Sequence, residues 1–417
     1  MSRPELLPDQ QTATTAKLHD HPPPEVRRGG AALIDETLTM IPGPTPVHPR
    51  ILTALARPTV SHVAPSFVEE FRSALRDLRT TCQSTTGQPF IVAGAGTLAM
   101  EIALVNAVAP GERILVISHG YFGDRFAELA GAFGIECDLL RSVWGQAVAP
   151  SLVAERLGSG KYAAVTITHV DTATGTASPV EEYCELLRGR DELVLLDGVC
   201  ATAGIDERFD EWGVDILLTG PQKAIGAPPG VALCLFSDRA MKRRLARSAV
   251  PAYYADILRW LPIMQDPGRY YSTPCVNEVV ALATALRMVL EEGLAARFAR
   301  HEQIARAVRA GLEAAGLSLF TAPDCRAATL SVVLLPDGIA DAAFRKEMTS
   351  RGIVVAGGLG PIAGKAFRLG HMGNIGASEI VSTLGAIEGS LRALGVAVER
   401  GAAVEAAAPY LPDLATR

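Results

Sequence analysis

No two of the seven cysteines (Cys82, Cys137, Cys184, Cys200, Cys234, Cys275 and Cys325) are spaced as a Cys-x-x-Cys pair, which excludes a zinc ribbon or a dithiol redox motif. Their number is odd, and several sit in apolar runs where a thiol behaves as a small hydrophobe. A reducing compartment, and a cytoplasmic location, is therefore expected. Long hydrophobic runs are missing too. The longest, such as 102–109 and 231–236, fall far short of the ~20 residues that span a bilayer. Basic charge is not in excess: 39 Lys and Arg against 45 Asp and Glu give a net charge of −6, which argues against a nucleic-acid partner. The first residues lack a basic stretch followed by an apolar one. They carry Glu5, Asp9 and Asp20, so no targeting peptide is expected.

What is present is material for a large core. Hydrophobic residues make up 48% of the 417 positions, which excludes global disorder. This length suits two or three domains. Residues 1–36 are polar and proline-rich, with Pro22, Pro23 and Pro24 in a row, and read as a flexible arm. Three prolines in Ile41-Pro42-Gly43-Pro44-Thr45-Pro46 leave no room for a helix and predict a rigid extended turn. Ser66 is expected to cap a helix that carries Phe67, Phe71, Leu75 and Leu78 at helical spacing. Short apolar runs at 90–93, 114–117, 163–167, 193–196, 216–218 and 231–236 then alternate with helical patterns at 98–108, 122–133 and 179–187. Near-continuous apolar strands between helices predict an α/β fold around a mostly parallel sheet covered on both faces. A long helical pattern over 276–315 leads into strands at 330–334, 353–355 and 367–369 and helices at 339–350 and 377–393, a smaller α+β unit. The expected division is a large domain over 37–300, a small one over 301–396, and an Ala-rich tail over 397–417 that frays.

Three features carry chemistry. Ala93-Gly94-Ala95-Gly96-Thr97 follows a strand and opens a helix, where small residues and free N–H groups attract a phosphate; a simple tight turn explains it as well. Asp197 ends an apolar strand, on the edge where α/β sheets bind ligands, although an Asp also caps turns. Lys223 lies between two apolar strands among small, turn-forming neighbours, an unusual setting for a surface lysine. A lysine held away from water can form a Schiff base with a carbonyl. Together the three fit pyridoxal phosphate, which needs a phosphate cradle, an amine for its aldehyde and an acid for its pyridine nitrogen. The freed Lys223 amine could then move a proton at the substrate α-carbon.

These motifs, taken in order, resemble the class V, fold-type I aminotransferases of the alanine/serine–glyoxylate (serine–pyruvate) group. The matching segments are Pro42-Gly43-Pro44-Thr45-Pro46, Gly94-Ala95-Gly96-Thr97, Gly120-Tyr121-Phe122-Gly123, His169-Val170-Asp171-Thr172, Asp197-Gly198-Val199, Gly220-Pro221-Gln222-Lys223 and Arg368-Leu369-Gly370-His371-Met372-Gly373. The likeness runs from about Ile41 to about Val396. It implies a seven-stranded-type large sheet, and a reaction moving an amino group from alanine or serine to glyoxylate or pyruvate. It further implies that Ala95, Gly96, Thr97 and Gln222 hold the cofactor phosphate, that Phe122 stacks on the pyridine ring, and that Thr172 lies beside it. Arg368 would grip the substrate carboxylate, with Pro44 nearby. Tyr270 and Thr273 would reach the phosphate of a neighbouring subunit, which implies a homodimer. His371 reads as a core histidine.

Two departures stand out. Ala95 replaces a frequent Ser, and Val63 stands where many members have a basic residue after Gly-His. Parts of the chain also resemble pyridoxamine–pyruvate aminotransferases, which carry a Glu at the place of Ala95. A lyase or desulfurase on the same scaffold is a further alternative; Cys325 lies in a loop-like segment, Ala322-Pro323-Asp324-Cys325, but precedes a β-like run and matches no desulfurase motif.

Overall fold

A computed structural model describes residues 37–411. The proposed arm over 1–36 and the last six positions lie outside the described residues. The apolar runs form a seven-stranded sheet in the order Gln88–Gly94, Gly230–Phe236, Ile216–Thr219, Leu193–Asp197, Ala164–Thr168, Arg113–Ser118 and Glu136–Arg141. All neighbours are parallel except Gly230–Phe236, which runs antiparallel to both of its partners. The sheet is thus mixed and mostly parallel. Its inner strands are buried along their whole length, as their unbroken apolar character requires. Register places Thr168 beside Asp197, Asp197 beside Leu218, and Gly230 beside Gly94. One edge therefore gathers the loops that begin at residues 95, 119, 169, 198 and 220.

Helices cover both faces. Gly96–Ala107 is buried nearly all round, while Pro65–Thr81 turns Phe67, Phe71, Leu75 and Leu78 into the core. Ser66 does not cap that helix. Ala64 is the N-cap and Pro65 the first helical residue, because proline's fixed φ and missing N–H suit that position. The pattern over 276–315 is two helices, Val276–Glu292 and Leu294–Ala314, parted by Gly293 at φ 82°.

A second, four-stranded antiparallel sheet joins Ser318–Leu319, Leu330–Leu334, Ala366–Gly370 and Ala356–Gly357. Its core includes Ile304, Val308, Phe344, Phe367, Leu384 and Ile387. Met40 belongs to this core, and Leu38–Thr39 pairs with Ile353–Val354. The chain therefore crosses the second core before it enters the first, so the expected start of the large domain at 37 differs from the packing. The Ala-rich tail expected to fray contains the helix Ala402–Ala407, whose Ala403 and Ala407 are fully buried. Small side chains let that helix sit close to its neighbours, and Glu388 accepts the N–H groups of Gly401 and Ala403 at 2.8 and 2.7 Å. No helix among the described residues is long and apolar enough to cross a membrane.

Candidate active site

At the carboxyl edge of the large sheet lies a cavity of about 180 Å3 whose lining includes Ala95, Gly96, Thr97, Phe122, Thr172, Asp197, Gln222 and Lys223. These come from five separate loops. Each position follows from local sequence. Asp197 is the last residue of its strand, and its Oδ1 accepts the Val199 N–H at 2.9 Å. Burial, the dominant influence, pushes its pKa up to about 7, while the Val199 N–H pulls the other way. Lys223 is buried, and its Nζ donates to the carbonyl of Pro42. Gly43, at φ 116°, makes this possible: a Cβ there would lie 2.6 Å from Nζ. The proline-rich turn also clasps the lysine loop. The Thr45 N–H donates to Gln222 O at 3.0 Å, and its hydroxyl donates to Lys223 O at 2.9 Å. The Gly43–Pro44 peptide is cis.

Phe122 stands at the start of the helix Tyr121–Ala132, and that start is held by Asp171. Asp171 Oδ2 accepts the N–H groups of Phe122 and Gly123 at 2.8 and 3.2 Å, and Oδ1 accepts that of Ala173 at 2.8 Å. Thr172 donates to the Cys200 thiol at 3.2 Å. Arg368 projects from the strand Ala366–Gly370, its Nε donating to Gly357 O at 2.8 Å and its Nη1 to Thr172 O at 3.3 Å. Burial lowers its pKa from the ordinary arginine value.

Some expected residues stand apart. Pro44 is exposed, and Arg368 meets the site through Thr172 without lining the cavity. Tyr270 and Thr273 are exposed and away from it, with Tyr270 against His62 at 5.3 Å between ring centroids. Val63 is half exposed. His371 is fully buried with its Nε2 3.0 Å from Ser331 Oγ, and burial brings its pKa down to about 3. Cys325 is buried beside Gly145 and lines a different cleft.

Arg125 and Cys200 escaped sequence reasoning and share the cavity wall with Met100 and with Val170 of the His169–Thr172 motif. A further cluster braces it. Arg297 donates to Ala203 O at 2.9 Å and Ala224 O at 2.6 Å and pairs with Glu292; Arg300 donates to Gly373 O and Ile375 O; His301 Nε2 accepts the Gly373 N–H at 3.0 Å. One helix thereby ties the loop after Lys223 to the loop after Arg368. Cations among apolar residues on the helical pattern 276–315 were the only hint of it.

Two larger clefts, about 500 and 700 Å3, lie elsewhere. The first is lined by Asp215 and Arg239, which already pair with each other. The second is lined by Glu182, Asp324 and Arg326 and has no lysine in its wall. The cavity at the sheet edge joins a buried lysine, a buried carboxylate and a glycine-bearing helix start. Among the described residues no group of acids, histidines and cysteines could hold a metal ion.

A fold-type I transferase is the class that this sheet order and lysine-bearing edge define. The profile of the family "Aminotransferase class-V" matches residues 51–369, and the chain belongs to that family. It is an aminotransferase. An uncharacterized aminotransferase of Methanocaldococcus jannaschii is 37% identical over 87% of this chain and 94% of its own length. Alanine–glyoxylate aminotransferase 1 of Saccharomyces cerevisiae is 36% identical over 80% and 91%. The crystal structure of ureidoglycine–glyoxylate aminotransferase from Bacillus subtilis superposes with a TM-score of 0.86 at 28% identity, covering 92% of this chain and 99% of that one.

Proposed function

We propose that the enzyme uses pyridoxal phosphate to move an amino group from a small amino acid, alanine or serine, to a small 2-oxo acid, glyoxylate or pyruvate. The observation that carries this reading is one cavity lined by Lys223, Asp197 and the helix start at Ala95–Thr97. The residues fit the cofactor. Asp197 is a carboxylate in a dry setting, short of positive partners, as a protonated ring nitrogen requires. Gly43 keeps space free around the amine, and at Gly96 a Cβ would crowd Val199 at 3.3 Å. Relatives that act on alanine and glyoxylate support the substrate pair.

When bound, the cofactor supplies an aldehyde that holds the amine and a ring that accepts electrons from the α-carbon. The chain does the rest. Asp197 keeps the proton on the ring nitrogen. The N–H groups at 95–97, the Thr97 hydroxyl and the Gln222 amide hold the phosphate. Phe122 covers a ring face and keeps water out. Arg368 offers its planar fork to the substrate carboxylate. Lys223 Nζ would take the proton from the substrate α-carbon and return it to the carbon that carried the cofactor aldehyde. Tyr270 and Thr273, exposed on their own subunit, serve the neighbouring site of a homodimer. Seven free thiols support a cytoplasmic setting. Cys325 lines another cleft, which weighs against a desulfurase.

The test is spectral and kinetic. Purified enzyme should show a visible cofactor band that alanine or serine bleaches and glyoxylate or pyruvate restores. Lys223→Ala should cut turnover by about 10²–10⁴-fold while cofactor is still bound. Unchanged turnover would refute the assignment. Free pyridoxamine belongs in the donor panel; strong activity with it alone would move the enzyme to the pyridoxamine–pyruvate reading.

A further inference from the structure

Three charged side chains line the cavity: Lys223, Asp197 and Arg125. The first two have roles at the aldehyde and ring nitrogen, so Arg125 is left without one. We propose that Arg125 is a further cofactor-binding residue, the cation that neutralises the phosphate; the proposal rests on the pyridoxal phosphate reading. A phosphate monoester carries ~1.5–2 negative charges near neutral pH. The groups read from the sequence as its holders are backbone N–H groups, a hydroxyl and an amide, all neutral. A helix start adds only about half a charge. Arg125 is the cation within reach of that cradle. Its Nη1 donates to Thr97 Oγ1 at 3.4 Å, in the residue that opens the helix Gly96–Ala107.

The guanidinium is held in place without being neutralised. It lies over the Phe122 ring at 4.8 Å and the Tyr121 ring at 5.2 Å. Among the described residues it has no carboxylate partner. Its neighbour Asp124 is committed to Arg141 at 3.0 Å and to the Ser118 hydroxyl at 2.7 Å. Its contact with Thr97 is its one hydrogen bond among the described residues, so most of its donor fork remains for an anion. The aromatic stack also links phosphate to ring: the Phe122 side chain that would cover the pyridine also carries the cation.

Equilibrium binding to the apoenzyme distinguishes this role from mere propping of Phe122. Pyridoxal phosphate and phosphate-free pyridoxal are titrated into the wild type, Arg125→Gln and Arg125→Lys. Arg125→Gln should weaken the phosphorylated vitamin about 10- to 100-fold and leave pyridoxal unchanged. Arg125→Lys should restore most of that loss, with a steeper dependence on salt. In the loaded Arg125→Gln protein the 31P resonance should titrate at higher pH than in the wild type. Equal loss for both vitamins, or none for either, would overturn the proposal. Should Arg125→Gln fail to fold, Arg125→Met is titrated in its place and decides by the same ratio. A wild type that binds neither vitamin would instead overturn the cofactor reading itself.

Discussion

Lys223 and Asp197 enter the site from the ends of strands in the seven-stranded sheet, whereas Arg368 enters from the middle of a strand in the four-stranded one. The first pair is seated by its own layer and by the turn at Pro42–Thr45. Arg368 is seated by carbonyls from two places, Gly357 beside it and Thr172 across from it. The difference separates two tasks. Under the proposed function, the groups that would do chemistry on the cofactor are seated by the large sheet and the Pro42–Thr45 turn, and the group that would receive substrate is seated where two cores meet. The brace of Arg297, Arg300 and His301 spans that meeting.

The largest effect should come from cutting the brace. Arg297→Met leaves the carbonyls of Ala203 and Ala224 unpaired in a buried place, together with part of Glu292. A loss of about 3–5 kcal/mol is expected in denaturant unfolding, and a change under 1 kcal/mol would break the comparison. Next is Asp197→Asn. The Asp197 pKa is raised to about 7 in the folded apoenzyme, against about 4 when unfolded, so the folded state binds the extra proton between those values. Its contribution is present at low pH and is lost as pH rises through about 7. The wild-type apoenzyme should therefore lose stability over that window relative to Asp197→Asn in paired thermal melts, and bound cofactor should remove the difference. Matching pH profiles in the apoproteins would contradict it. Arg368→Lys should then raise the KM of the amino donor about 10- to 100-fold by losing the fork, with the cofactor band untouched; a weakened band would mean that the two ends are not separate. Smallest is Ser66→Ala, which touches neither end. Because Ser66 is exposed inside its helix and not its cap, the change should stay within about 0.5 kcal/mol, against about 1 kcal/mol for a lost cap.

Strand positions on the inner sheet were legible because burial on both faces demands unbroken apolar runs. Glu136–Arg141 was not, since it is an edge strand with only Leu140 buried, and the helix Pro150–Ser159 turns only Val153 and Leu157 inward. The break at Gly293 hid inside a continuous helical periodicity. Within the site, Asp197 stood out as a charge ending an apolar strand, and Lys223 as a lysine among small, turn-forming residues between two apolar strands. Arg125 looked like any exposed-face arginine on an amphipathic helix, and Cys200 like a core thiol. Asp171 lay inside a recognised motif, but its three N–H partners come from loops about 50 residues apart as well as from its own.

Local order along the chain thus determined the strands, the glycine-bearing helix start, and the presence of a lysine and an acid suited to one cofactor. Those features depend on residues a few positions apart. Which side chains share the cavity, that Pro42 receives the lysine amine, and that Arg125 lies beside Thr97 were decided only by tertiary structure. The physical reason is that desolvation and charge act through distance in space, and folding brings together five loops that the chain keeps far apart.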